Sequence, residues 1–128
     1  MRLLLDTHIA LWAITDSPTL SAEARRLILA PNNEVYVSAA SIWEISIKHA
    51  LRRGDMPVSG KDAAGYFTQA GYSILDITAD HAVYVENLPN HHADPFDRLL
   101  VAQALYEPMH LLTHDKTIAT YSATVILV

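Results

Sequence analysis

A chain of 128 residues fits one ordinary domain, taken here as 1–128, and is long enough to bury roughly two-thirds of the surface its extended form exposes. Apolar residues make up 51% and charged residues 18%, which excludes intrinsic disorder; the absence of cysteine excludes disulfides, thiolate zinc sites and cysteine nucleophiles. The formal net charge of −5 argues at first sight against a nucleic-acid partner, because a phosphate backbone favours a basic surface.

The predicted elements alternate. Leu3 to Leu5 is a strand ended by Asp6, and His8 to Ile14 a short helix carrying Trp12. Only a three-residue apolar run precedes Asp6, too short for a signal-peptide core or a membrane span, so a cytoplasmic location is expected. Ser21 caps a helix through Leu29, with Ala24, Leu27 and Ile28 on one face. Val35 to Val37 is a second strand. Ser38 opens a helix through about Leu51 whose apolar positions Ile42, Trp43, Ile45, Ile47 and Ala50 cover more than one face, which predicts extensive burial. A helix over 60–70, a strand at Ile74-Leu75 and a helix from Ala79 to Glu86 follow. Pro95 to Tyr106 is a helix, Leu111 to Thr113 a strand ended by Asp115, Lys116 to Tyr121 a short helix, and Val125 to Val128 a last strand. Short, wholly apolar strands alternating with helices predict an α/β three-layer sandwich: a central, mostly parallel sheet of four to five strands flanked by helices.

Ligands of such folds collect at the carboxyl ends of the strands, and four acids fall there. Asp6 and Asp115 close strands, Glu44 lies two turns into the helix after the second strand, and Asp97 lies in the first turn after Pro95. Each also has a purely structural explanation. Asp6 and Asp115 suit helix caps, Asp94-Pro95-Phe96-Asp97 reads as a helix start, and Glu44 is spaced to pair with Lys48. Taken together the acids ask for more. An ionised carboxylate flanked by Trp43 and Ile45 on a buried helix is costly unless it is paired or binds a metal. Several carboxylates at one sheet edge repel, and a divalent cation removes that penalty. Hard oxygen donors select Mg²⁺ or Mn²⁺, ions suited to activating water for in-line attack on phosphate.

Four stretches carry a family resemblance: Leu3-Leu4-Leu5-Asp6-Thr7-His8; Val37-Ser38-Ala39-Ala40-Ser41-Ile42-Trp43-Glu44-Ile45; His92-Ala93-Asp94-Pro95-Phe96-Asp97-Arg98-Leu99-Leu100-Val101-Ala102-Gln103-Ala104; and Leu112-Thr113-His114-Asp115. In this order the chain resembles the PIN-domain ribonucleases, most closely the VapC-type toxins of toxin–antitoxin systems. The resemblance implies an acidic metal site at Asp6, Glu44, Asp97 and Asp115, cleavage of RNA with Mg²⁺ or Mn²⁺, homodimerisation and inhibition by a cognate antitoxin. It places Thr7 and Thr113 beside the acids, where they orient carboxylates or water. Asp94 either assists the site or caps its helix, the cap being favoured. Metal-activated water would leave 5′-phosphate and 3′-hydroxyl ends. A rival reading is a catalytically silent PIN-like protein-binding module. Another is a different α/β phosphoryl-transfer enzyme, but a haloacid-dehalogenase-type phosphatase would need an Asp where His8 stands, and a receiver domain needs an adjacent acidic pair that is missing.

The remaining signals are weaker. Lys48, Arg52 and Arg53 at the end of the Glu44 helix are either cations answering the helix dipole or RNA phosphate contacts. The histidines lack zinc spacing. His92 is read as a solvated loop residue that could touch substrate, and Trp12 and Trp43 as core or interface anchors rather than base-stacking platforms. No dinucleotide, P-loop or serine-hydrolase motif is present. The charge itself is uneven: residues 1–64 carry seven Lys/Arg against seven Asp/Glu, and residues 65–128 carry two against seven. Setting aside the four acids of the site changes −5 to −1. The acidity is thus largely the site, and a bound cation would invert the local field.

Overall fold

Arg2–Leu5 (β1), Glu34–Ser38 (β2), Ser73–Leu75 (β3), His110–Thr113 (β4) and Ile126–Leu127 (β5) form one sheet in the order β3-β2-β1-β4-β5, every pairing parallel. This is the computed structural model of the chain, and it describes residues 1–52 and 56–128. The helices are Thr7–Ile14 (α1), Ala22–Leu29 (α2), Ala39–Ala50 (α3), Gly60–Gln69 (α4), Ala79–Tyr84 (α5), Pro95–Tyr106 (α6) and Lys116–Ala119 (α7). Among the described residues, no helix is long and apolar enough to cross a membrane.

The layers follow from the alternation of side chains along each strand. Leu3, Leu5 and Leu112 face one cluster with Ile9, Ala24, Leu27, Ile45 and Phe67, which brings α1, α2, α3 and α4 to that face. Leu4 and Leu111 face a second cluster with Ala40, Leu100, Val101, Ala104 and Ile118, which brings α6 and α7 to the other. Leu3, Leu4 and Leu5 are fully buried, each worth roughly 1.5–3 kcal/mol. A strand apolar at every position is therefore the correct pattern for a sheet covered on both sides.

Side-chain caps set where the helices start. Asp6, Ser21, Ser38, Ser59, Thr78, Asp94 and Asp115 each accept a backbone N–H in the first turn. The predicted helix over Ala79 to Glu86 is instead α5 followed by a 3₁₀ turn, Val85–Asn87. His81 ties this region to α6. Its buried Nδ1 accepts the Thr78 N–H at 3.1 Å, and its Nε2 meets Glu107 Oε2 at 2.5 Å.

The expected burial of α3 is corrected. Ser41, Glu44 and Ile45 face inward, but Trp43, Ile47 and the following Leu51 are 55%, 36% and 61% exposed. Trp43 keeps one ring contact, edge-on to Phe96 at 5.0 Å, and the rest of that face of the helix stays in solvent.

The α3–α4 contact depends on Gly60. A Cβ there would lie 1.7 Å from Ser46 Oγ, 2.9 Å from Ser46 Cβ and 3.3 Å from the Ile42 carbonyl oxygen. The hydroxyl could rotate away, but the Cβ and the carbonyl move only with the helix. Gly60→Ala is expected to destabilise by about 1–3 kcal/mol, read from the denaturant midpoint, with partial recovery when Ser46→Ala is added.

Candidate active site

Sheet order decides where a site forms. The chain runs outward from β1 to β2 and β3, then returns to place β4 on the other side of β1. The carboxyl ends of β1 and β4 therefore flank the topological switch point, where α/β folds form a crevice. A cavity of about 410 Å³ lies there, and Asp6, Glu44, Asp97 and Asp115 all line it. The four acids, from the starts of α1, α6 and α7 and the middle of α3, are far apart in sequence and line one cavity.

Each carboxylate is held. Asp6, 5% exposed, accepts the Ile9 N–H at 3.0 Å through Oδ1, and the Thr113 hydroxyl donates to its Oδ2. Glu44, 6% exposed, accepts from the Thr7 hydroxyl at 2.8 Å through Oε1 and from Lys48 Nζ at 2.8 Å through Oε2. Thr7 Oγ1 also lies 2.9 Å from the Ser41 hydroxyl. Asp94 Oδ1 accepts from the Phe96 and Asp97 N–H groups at 2.8 and 3.1 Å, so the cap reading holds; the same side chain also lines the cavity. Asp115 Oδ1 caps α7 through Thr117 N–H at 2.8 Å, leaving Oδ2 to the site. The acids that cap helices are thus also the acids of the cavity. In Asp6 and Asp115 one oxygen accepts backbone N–H and the other meets a side chain, Thr113 and His92 respectively.

Sequence reasoning undervalued His92. Its Nε2 lies 3.0 Å from Asp115 Oδ2 and 3.3 Å from Asp97 Oδ2, and its Nδ1 accepts the Asp94 N–H at 3.1 Å. With Nδ1 accepting, Nε2 carries the proton and donates. The loop is held from behind: the His92 N–H donates to the Tyr121 hydroxyl at 2.8 Å, which also accepts from Arg98 at 3.1 Å. The ligand atoms of His92, Asp97 and Asp115 all lie within 4.8 Å of one another. The only signal in the sequence was His92 standing two residues before a helix cap, and only tertiary contact makes it meaningful.

Lys48 lines the cavity, but its ammonium is engaged by Glu44. Arg52 is exposed in a left-handed turn, φ 53°, after α3. Arg53 lies outside the described residues.

The electrostatics follow from the crowding. Burial pushes Asp6 above the usual carboxylate range, against the favourable Ile9 N–H and Thr113 hydroxyl. Burial and then the charges of Asp94, Asp6 and Glu44 push Asp97 up to about 7, despite His92. Asp115 is desolvated too, yet the His92 hydrogen bond and the α7 N–H groups outweigh that and hold it below the usual range. Carboxylates forced upward beside one another form a site short of positive charge, and their hard oxygens fit a divalent cation.

Comparison with known proteins decides the family. The family model described as PIN domain matches residues 3–123. The chain belongs to the PIN domain family. PIN domains are nucleases and generally use divalent metals, in keeping with the oxygen donors of this site. Solved structures share the fold of this PIN domain. A chain from the crystal structure of VapBC2 from Rickettsia felis, bound to a DNA fragment from their promoter, is 21% identical with a TM-score of 0.73, covering 100% of this chain and 98% of that one. One from a toxin–antitoxin complex of Klebsiella pneumoniae is 16% identical with a TM-score of 0.66, covering 97% and 95%. One from VapBC-1 of nontypeable Haemophilus influenzae is 19% identical with a TM-score of 0.63, covering 95% and 96%. No curated protein matches the chain.

Proposed function

We propose that this PIN domain is a divalent-metal-dependent endoribonuclease and the toxin of a VapC-type toxin–antitoxin pair. The observation that carries the reading is the meeting of Asp6, Glu44, Asp97 and Asp115 around one cavity at the switch point between β1 and β4. Mg²⁺ or Mn²⁺ is the proposed ion, on the hardness of the donors. When bound, such a cation supplies Lewis acidity and acidifies water beside the scissile phosphate.

The chain's own residues place and charge the site. Thr7 and Thr113 fix the carboxylates of Glu44 and Asp6 by donating to one oxygen of each. Asp94 sets the first turn of α6 and thereby positions Asp97. Lys48, which lines the cavity, and Arg52 and Arg53, which follow it in the sequence, are the proposed contacts for RNA phosphates.

Likeness to chains of toxin–antitoxin complexes supports a cognate antitoxin as partner. The exposed Trp43, Ile47 and Leu51 offer apolar surface for a protein contact, in keeping with an antitoxin or a homodimer. The same reading takes 1–128 as one nuclease domain acting in the cytoplasm.

The test is incubation of an RNA pool with purified protein in Mg²⁺ and in EDTA, after asking whether a small protein co-purifies. Cleavage in Mg²⁺ alone, increased by removing the partner, is the expected result. Equal cleavage in both conditions, or none in Mg²⁺ from folded, partner-free protein, overturns the reading.

A further inference from the structure

The cavity has a second wall that the acids do not explain. His8, Trp12 and His114 line it beside Asp6 and Asp115. The His8 and Trp12 rings lie 5.8 Å apart and tilted by 34°, and His114 meets Trp12 edge-on at 5.6 Å and 74°. Trp12 is half-buried with its inner side against the core, whereas both histidines are exposed. His114 Nδ1 is held 3.0 Å from the Val128 carbonyl oxygen and Trp12 by the core, so two of the three rings are fixed before any ligand arrives. Trp12 is thus the core anchor expected of it and also lines the cavity.

An aromatic wall of this kind is a good surface for a flat, uncharged π-face. On a chain threaded past the acids, the bases next to the scissile phosphate are such faces. Stacking needs no particular base, and exposed rings in a preformed cluster lose little freedom on binding. We infer that His8, Trp12 and His114 form a subsite that stacks a nucleobase of single-stranded RNA adjacent to the cleaved bond. The inference rests on the nuclease reading above and names how that site holds its substrate.

The experiment uses Trp43→Phe protein, in which Trp12 is the only indole. A short single-stranded RNA and the same strand carrying abasic sites are titrated in EDTA at low salt, where no cleavage consumes them. Binding is read from Trp12 fluorescence and from anisotropy of a dye on the RNA. The expected result is quenching of Trp12 by the base-bearing strand and binding roughly tenfold weaker for the abasic one. His8→Ala, at an exposed position, is expected to weaken the base-bearing strand towards the abasic value and leave the abasic strand unchanged. Trp12→Phe, which keeps a ring against the core, is expected to lose less.

Equal affinity for the two strands overturns the subsite and leaves the nuclease reading standing. A preference for bases that survives His8→Ala without Trp12 quenching overturns it too, because the bases then bind elsewhere. Failure of both strands to bind overturns the subsite, and joined to absence of cleavage in Mg²⁺ it overturns the nuclease reading as well.

Discussion

Asp6→Asn is expected to lower metal-dependent RNA cleavage by about two orders of magnitude or more while leaving the fold intact. The substitution removes a charge and almost nothing else. An Asn oxygen can still accept the Ile9 N–H that starts α1, and its amide can donate to the second lone pair of the Thr113 hydroxyl, whose first accepts the Asp115 N–H. Burial holds Asp6 above the usual carboxylate range, so its ionised form is a cost to the metal-free fold. The metal-free Asp6→Asn protein is therefore expected to melt at the same temperature as the parent or higher. Asp6→Ala separates the two roles, because it also loses the cap, worth about 1 kcal/mol. Cleavage rates and melting curves measured on the three proteins decide the matter. Near-parental activity in Asp6→Asn would remove Asp6 from the metal site.

Apparent affinity for Mg²⁺ or Mn²⁺ is expected to fall about tenfold per pH unit below pH 7. Asp97 is pushed up to about 7 by burial and by its acidic neighbours. Below that pH a cation must displace its proton, and calorimetry at pH 6 in buffers of different ionisation enthalpy should record about one proton released per ion. Asp6, raised as well, steepens the dependence towards lower pH. The sign for stability is the reverse. A carboxyl whose folded pKa lies above its unfolded value of 3.8 binds more protons folded than unfolded between the two values. That contribution to stability is full below pH 3.8 and is lost as pH rises through about 7. Metal-free protein should therefore melt higher at pH 5 than at pH 8 through this group, and Asp97→Asn should narrow the difference. Asp115, held low, acts in the opposite sense but below its usual range, outside this window. A pH-independent metal affinity between 5 and 7 would contradict the placement of Asp97 in the site.

Residues at strand ends and helix starts were legible because local rules fix them. Apolar runs such as Leu3 to Leu5 predicted a sheet covered on both faces, and Ser21, Ser38 and Asp94 were read correctly as caps. Asp6, Asp97 and Asp115 stood out because each ends a strand or lies in the first turn of a helix, and Glu44 because it is a carboxylate among apolar helix residues. The misreadings all concern what lies across space. Nothing local says which apolar positions of α3 its neighbours leave uncovered, so Trp43 and Ile47 read as buried and are not. Nothing local says that a loop histidine reaches two acids, so His92 read as solvated and instead bridges Asp97 and Asp115.

The sequence by itself determined the elements, their caps and the kinds of donor available, because period, capping and charge act over a few residues. The tertiary structure decided which donors meet. Returning β4 to the far side of β1 draws Asp115 to Asp6, carries the α6 start to both, and sets His8, Trp12 and His114 along one wall of the same cavity. Desolvation and repulsion exist only once that crossing has been made, and they raise Asp6 and Asp97, the strain that the proposed cation would relieve.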